Sequence, residues 1–227
     1  MKNKGFTLAE VLITLGIIGV AAAMTMPSLI NDKRNKELYT ALKKNYSVVQ
    51  QALLMMENNE GDVVNWCTFP RNEFRLSFKK YFSGVIDCGL ESCVGHGGVD
   101  ADGNAVTWMI KNYKTYNRKK NIVTSFFDDG QYKLTDGAMI FIENPKTVCD
   151  ETSHMYITVD VNGIGKPNVW GLDMFTFQQT KNGKLLPMGA EGTDYTDLNQ
   201  YCSLTSSNAM NGIACTQKAL TDKNYWK

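Results

Sequence analysis

From Phe6 to Ile30 the chain is apolar, with one ionisable interruption at Glu10. At about 1.5 Å of rise per helical residue, such a run is long enough to cross a bilayer core of about 30 Å. A polar stretch, Asn31 to Glu37, follows. Leu38, Leu42, Tyr46, Val49, Leu53 and Met56 then recur at three- and four-residue steps, which predicts one face of an amphipathic helix. Lys36, Lys43, Lys44 and Gln50 fall on its other faces. Pro27 weakens the helix locally, and Asn58-Asn59-Glu60-Gly61 stops it. The pattern predicts a single helix from Phe6 to about Asn58. Its first half is apolar all round. Its second half is apolar on one side and needs a partner surface.

Beyond Gly61 the periodicity changes. Asn72 to Phe82 carries Phe74, Phe78, Tyr81 and Phe82 at helical spacing, which predicts a short helix after Pro70 with an aromatic core stripe. Residues 83–104 are rich in Gly and Cys and read as irregular. Strand signals follow at Ile122–Phe127, Ala138–Ile142, Met155–Val161 and Asp173–Phe177, all rich in β-branched and aromatic residues. Asp128-Asp129-Gly130 reads as a hairpin turn, with Gln131–Leu134 as a short returning partner. Consecutive strands with tight turns imply an antiparallel sheet, and a helix followed by strands implies an α+β class.

Charge and composition narrow the picture. The formal net charge is +1 over 227 residues; Lys2 and Lys4 account for two positive charges, so the remaining side chains sum to −1. No basic patch supports nucleic-acid binding as the main role. Removing the first thirty residues leaves about 195, enough for one domain with its own core. The leading lysines mark the cytoplasmic side of a single-pass span, so the rest of the chain faces outward. Ala21-Ala22-Ala23 also fits a cleaved secretory signal, but the apolar run continues past it. A carboxylate inside a membrane helix costs roughly 2.5–3.5 kcal/mol on insertion scales, so Glu10 calls for a partner that a plain anchor or signal would not need. Six cysteines lie beyond the span: Cys67, Cys88, Cys93, Cys149, Cys202 and Cys215. On an exported domain they form a disulfide framework with fifteen arithmetically allowed pairings. Cys88 and Cys93 are spaced for a local pair, and Cys67 is left with Cys149 only if Cys202 and Cys215 are joined as well.

The stretch Gly5-Phe6-Thr7-Leu8-Ala9-Glu10, behind a short basic leader, resembles the class III signal of type IV pilins and type II secretion pseudopilins. The resemblance implies a pilin-like fold. Residues 1–5 would be a leader cleaved after Gly5 by a prepilin peptidase, with N-methylation of the new terminus at Phe6. Residues 6–30 would be the transmembrane and assembly helix. Residues 31–227 would be an exported head that includes the amphipathic half, 31–58. Glu10 would neutralise the Phe6 amine of a neighbouring subunit, and Gly16, Gly19 and Pro27 fall at the family's flexible points. The implied partners are related subunits, an inner-membrane platform protein and an assembly ATPase. The resemblance also implies that Cys202 and Cys215 close a loop like that of many pilins.

A second family mark runs from Asp160 to Phe175, in a D-x-N-G…P-N…G-x-D-x-F pattern similar to the strand–loop–strand of pseudopilin heads. Asp160, Asn162, Asn168 and Asp173 are oxygen donors there, and the major pseudopilins bind calcium in a head loop. Calcium is therefore a candidate ligand, although the spacing is not that of an EF-hand and Asx side chains also cap turns. No nucleophile–base pair, P-loop or dinucleotide fingerprint supports catalysis. His96 near Cys88 and Cys93 makes a partial zinc set, for which a disulfide beside a glycine-rich loop is the simpler account. Two other roles stay open: a tethered, non-polymerising binding protein, and a DNA-uptake pilin using Lys111, Lys114, Arg118, Lys119 and Lys120 interleaved with Tyr113 and Tyr116.

Overall fold

A computed structural model describes residues 5, 7–69, 71–90, 93–94, 98–99, 105–106, 112–144 and 154–226. Helix α1, Leu8–Glu60, is continuous through Pro27 and ends at Gly61, whose φ of 74° supplies the left-handed cap that a residue with a Cβ resists. Its second half buries Leu38, Leu42, Asn45, Val49, Ala52, Leu53 and Met56. Tyr46, expected on that face, sits at its edge and stacks on Phe177 with ring centroids 4.9 Å apart. Asn45 is buried because its amide donates back to the Ala41 carbonyl at 2.9 Å.

Helix α2, Arg71–Phe78, continues as a 3-10 turn over Lys79–Tyr81. Phe74, Phe78 and Phe82 are buried; Phe74 stacks on Phe78 with centroids 4.9 Å apart, and Phe82 meets Phe78 edge-to-face at 4.8 Å. The strands are β1 (Ile86–Asp87), β2 (Gly98–Val99), β3 (Ala105–Val106), β4 (Gly130–Lys133), β5 (Met139–Glu143), β6 (Met155–Asp160), β7 (Met174–Gln179) and β8 (Leu185–Pro187). Six form one antiparallel sheet in the order β1-β4-β5-β6-β7-β8, and β2 pairs only with β3. Two short helices close the chain, α3 (Leu198–Tyr201) and α4 (Cys215–Thr221).

The sheet is covered on both faces. Ile140, Ile142, Ile157, Val159, Phe175 and Phe177 pack toward the second half of α1 and α2. Met139, Phe141, Tyr156 and Met174 point the other way, against Tyr113, Phe127 and Trp170. Every residue of β6 and β7 is therefore buried: β6 reads as a buried run, while the alternation of β7 persists with Thr176, Gln178 and Gln179 buried beside its apolar residues.

Three expectations are corrected. Ile122–Phe127 is not a strand: Ile122 and Phe127 anchor in the second core from a 3-10 turn over Thr124–Phe126. Tertiary packing there overrides the β-propensity of the side chains. Asp128-Asp129-Gly130 is not a hairpin turn, because β4 begins at Gly130 and pairs with β1 and β5. The tight turn lies at Asp136-Gly137, with Leu134 donating to the Ala138 carbonyl at 2.8 Å. Within 83–104, read as irregular, Ile86–Asp87 forms the edge strand of the main sheet.

Candidate functional site

The start of α1 is a capping box. Thr7 is the N-cap: its hydroxyl accepts the Glu10 N–H at 3.2 Å, while Glu10 Oε2 accepts both the Thr7 backbone N–H and the Thr7 hydroxyl at 2.8 Å. This reciprocal pair satisfies two otherwise orphaned donors at a helix start. The pattern Thr-x-x-Glu is the signal that identifies Thr7, a residue the sequence reading passed over. Both bonds run to one oxygen of Glu10, and a carboxylate has about four lone-pair sites, so it retains capacity for another donor. Gly5 precedes the cap in exposed, non-helical chain, and Phe6 lies outside the described residues.

The apolar residues that follow are not covered by protein. Leu8 is 79% exposed and Ile17 is 65% exposed, and Val11 to Ile30 show the same character. Among the described residues, α1 is the helix long and apolar enough to cross a membrane. Its hydroxyls are self-satisfied: Thr14 donates to the Glu10 carbonyl and Thr25 to that of Ala21, each at 2.9 Å. That removes the penalty of placing them in hydrocarbon. Pro27 is exposed within the continuous helix.

The Asp160–Phe175 segment joins β6 to β7, and the carboxylate oxygens of its two aspartates are met by protein donors. Asp173 accepts the Asn168 and Val169 N–H groups at 2.7 Å, one on each oxygen. Asp160 accepts the Tyr113 hydroxyl on Oδ2 and the Asn162 N–H on Oδ1, the latter at 3.2 Å. The Asn162 amide donates to the carbonyls of Gly165 and Lys166. This is turn-capping geometry. Asn168 Oδ1 is buried without a hydrogen-bond partner. Burial raises the pKa of Asp173 to about 6 against the N–H bonds of Val169 and Asn168 and the charge of Arg34. Burial, then the charge of Asp173, push Asp160 well above the carboxylate range. Gly171, late in this segment, has a φ of 90°, and a Cβ there would come within 2.9 Å of Cys215 Sγ.

Cys202 is bonded to Cys215, and Cys88 to Cys93. Cys67 is disulfide-bonded as well, and Cys149, its expected partner, lies outside the described residues, as do His96 and Lys111. The interleaved tyrosines do not form a base-stacking platform. Tyr113 is fully buried, and Tyr116 stacks on Tyr225 with centroids 6.2 Å apart. His154 pairs with Asp194 at 2.7 Å. Carboxylate oxygens of Asp128, Asp129 and Glu143 lie within 4.8 Å of one another; the sequence reading took the first two as turn residues and missed the third. Asp129 accepts the Asn144 N–H at 2.8 Å there.

Two families match parts of the chain. Residues 1–26 match the Prokaryotic N-terminal methylation motif. Residues 28–81 match a Family of unknown function (DUF6613), a span that covers the polar and amphipathic parts of α1 and all of α2. No curated protein and no solved structure matches the chain. The N-terminal segment is thus a type IV pilin-like prepilin signal, and together with the apolar helix it fits membrane anchoring.

Proposed function

We propose that this chain is a structural subunit of a type IV pilus-like or type II secretion pseudopilus filament. The observation that carries the reading is an exposed apolar helix headed by the methylation motif, with Glu10 at its third position. That carboxylate caps the helix start through Thr7 and keeps capacity for a further donor. In a bundle of such helices, the Glu10 carboxylate and the Phe6 amine of a neighbour each offset the other's desolvation only by pairing, which also sets register. Prepilin peptidase cuts after Gly5 and exposes that amine. The platform protein and assembly ATPase then draw subunits from the inner membrane, and helix–helix contacts replace lipid contacts. The cytoplasmic side holds the leader, and the disulfide-bearing head faces outward. The role is structural rather than catalytic.

Mass spectrometry of the mature N-terminus tests the signal: an N-methylated Phe6 is expected, and a start near Met24 defeats the reading. Glu10→Ala tests assembly. It should leave insertion and cleavage intact and abolish sedimentable filaments; a wild type that stays monomeric after membrane extraction would point to a tethered binding protein instead.

A further inference from the structure

We infer that the base of the head is a lipid-headgroup collar, an inference that rests on the membrane-spanning part of the proposed function. Two grooves flank α1 where its apolar run ends. One, of about 580 Å³, is lined by Asp32, Lys36 and Tyr39 of the helix and by Leu220, Lys223 and Trp226 of the head. The other, of about 480 Å³, is lined by Ser28, Asn31 and Arg34 on the helix side and by Arg118, Pro167 and Leu172 opposite. The head edge therefore descends to the level of Ser28, inside the apolar run itself. At about 1.5 Å per residue, Lys36 lies about 9 Å beyond Ile30, and the headgroup layer on each side of a bilayer is about 5–7 Å deep. A helix that spans the membrane through Ile30 places both grooves in or directly against that layer.

The chemistry of this level fits phospholipid headgroups. Lys33, Arg34 and Lys36 come from the helix, and Arg118, Lys166 and Lys223 come from the head; all six are exposed. Against them stand Asp32, Glu37 and Asp222, of which Glu37 already pairs with Lys33 at 3.7 Å. Arg34 donates to the Lys166 carbonyl, which fixes that loop beside the helix and leaves the Lys166 side chain outward. Trp226 supplies the amphipathic ring. Its indole N–H donates to the Ala219 carbonyl at 2.8 Å, its ring packs on Phe175 and Tyr39 at 5.9 and 6.0 Å, and its remaining surface lines the first groove. Asn35 holds this segment against α1 by donating to the Trp226 carbonyl at 3.0 Å. Tryptophan, tyrosine and lysine at the edge of a span are the residue types that settle at a membrane interface, and clustered cations beside a span attract anionic lipid. The occupant is the anionic phospholipid headgroup, continuous with the lipid around residues 8–30.

The test uses the full chain in nanodiscs, in the Glu10→Ala background, so that assembly cannot contribute. Tryptophan fluorescence is read against phosphatidylcholine discs containing shallow-brominated lipid, with and without phosphatidylglycerol. Quenching should be larger in the parent than after Trp226→Phe, and should rise with the phosphatidylglycerol fraction. Lys36→Gln with Lys223→Gln, both on the surface, should reduce that rise, each lost cation weakening headgroup binding roughly fivefold. Equal quenching with and without Trp226, or acrylamide access to Trp226 that lipid does not change, overturns the collar. So does a charge variant that alters filament assembly in the native background and leaves lipid quenching unchanged, since the cations would then serve another subunit. Failure to enter nanodiscs at all would instead count against the membrane span, and with it the proposed function.

Discussion

The two halves of α1 are one helix with two different sources of stability. Residues 8–30 bury nothing against the head, and residues 38–56 bury seven side chains against a sheet. Both halves are helical because an apolar segment in lipid must satisfy its backbone internally, while an amphipathic one is held by packing. The difference separates the two halves: the second makes the domain, and the first keeps its apolar surface uncovered by the head. Matched truncations would sharpen this most. Leu42→Ala, at a fully buried site, should cost the head about 2–5 kcal/mol. Leu15→Ala, at an exposed site, should leave head unfolding in detergent unchanged. Denaturant unfolding followed by near-UV circular dichroism reads both, and a comparable loss from Leu15→Ala would break the division.

The next effect belongs to the head alone. Cys202 and Cys215 are 13 residues apart and close a loop that packs on Gly171, late in the β6–β7 connection. Replacing both with serine should lower head stability by about 3 kcal/mol in the chain-entropy account, with membrane insertion unaffected. Melting of the paired variant against the parent checks this; an unchanged melting temperature would mean that the loop is held by its other contacts.

The long helix, its buried face and three central strands are legible in the sequence because they repeat a simple period over many residues. What escapes the pattern depends on contacts distant in the chain. Ile122–Phe127 has strand-forming side chains, yet its neighbours are Tyr113 and Trp170 rather than another strand. Strand β8 is only three residues long, although Asn182-Gly183 before it is a hairpin signal. Helices α3 and α4 are too short to show periodicity. At the N-terminus the chemistry is local, so Gly5 to Glu10 could be read directly. Whether four Asx oxygens in the Asp160–Asp173 loop meet a cation or protein donors depends on Tyr113, which no local spacing reveals.

That loop also carries a pH signature. Asp173 titrates near 6, raised chiefly by burial, with Arg34 and the backbone N–H groups of Val169 and Asn168 opposing. A carboxyl whose folded pKa is raised holds its proton more tightly when folded. Its contribution is therefore present at low pH and is lost as pH rises from the unfolded value near 4 to about 6. Asp160, facing Asp173 and Tyr113, is shifted in the same direction. Asp87 shifts the opposite way. Burial raises it, but the bonds from Lys79 and Gly89 and the charge of Arg75 outweigh that, so its stabilisation fades only as pH falls below about 4. Head melting temperature should thus decline as pH rises from 4 through 6, and go on declining above 6 while Asp160 still holds its proton. Millimolar calcium should leave the melting temperature at pH 7 unchanged, because the carboxylate oxygens already accept protein hydrogens. A calcium-dependent rise would show instead that Asn168 Oδ1 and the two aspartates open to an ion.

The smallest effect compares two ion pairs on α1 itself. Lys44 reaches Asp136 at 2.6 Å and so ties the amphipathic half to the β4–β5 turn, 92 residues away. Lys33 and Glu37 lie at 3.7 Å on one exposed stretch of the same helix. A surface pair is worth about 0.2–1 kcal/mol, and one within a single helix about 0.3–0.5. Asp136→Asn can keep the bond that Asp136 Oδ1 accepts from the Ala138 N–H, so it removes the charge pair and spares the turn. A double-mutant cycle with Lys44→Met should return a coupling below about 1 kcal/mol that shrinks in high salt, and the Lys33–Glu37 cycle should return no effect on the head. Equal coupling from both pairs would mean that the helix above residue 30 gains its stability from its own surface rather than from the sheet beneath it.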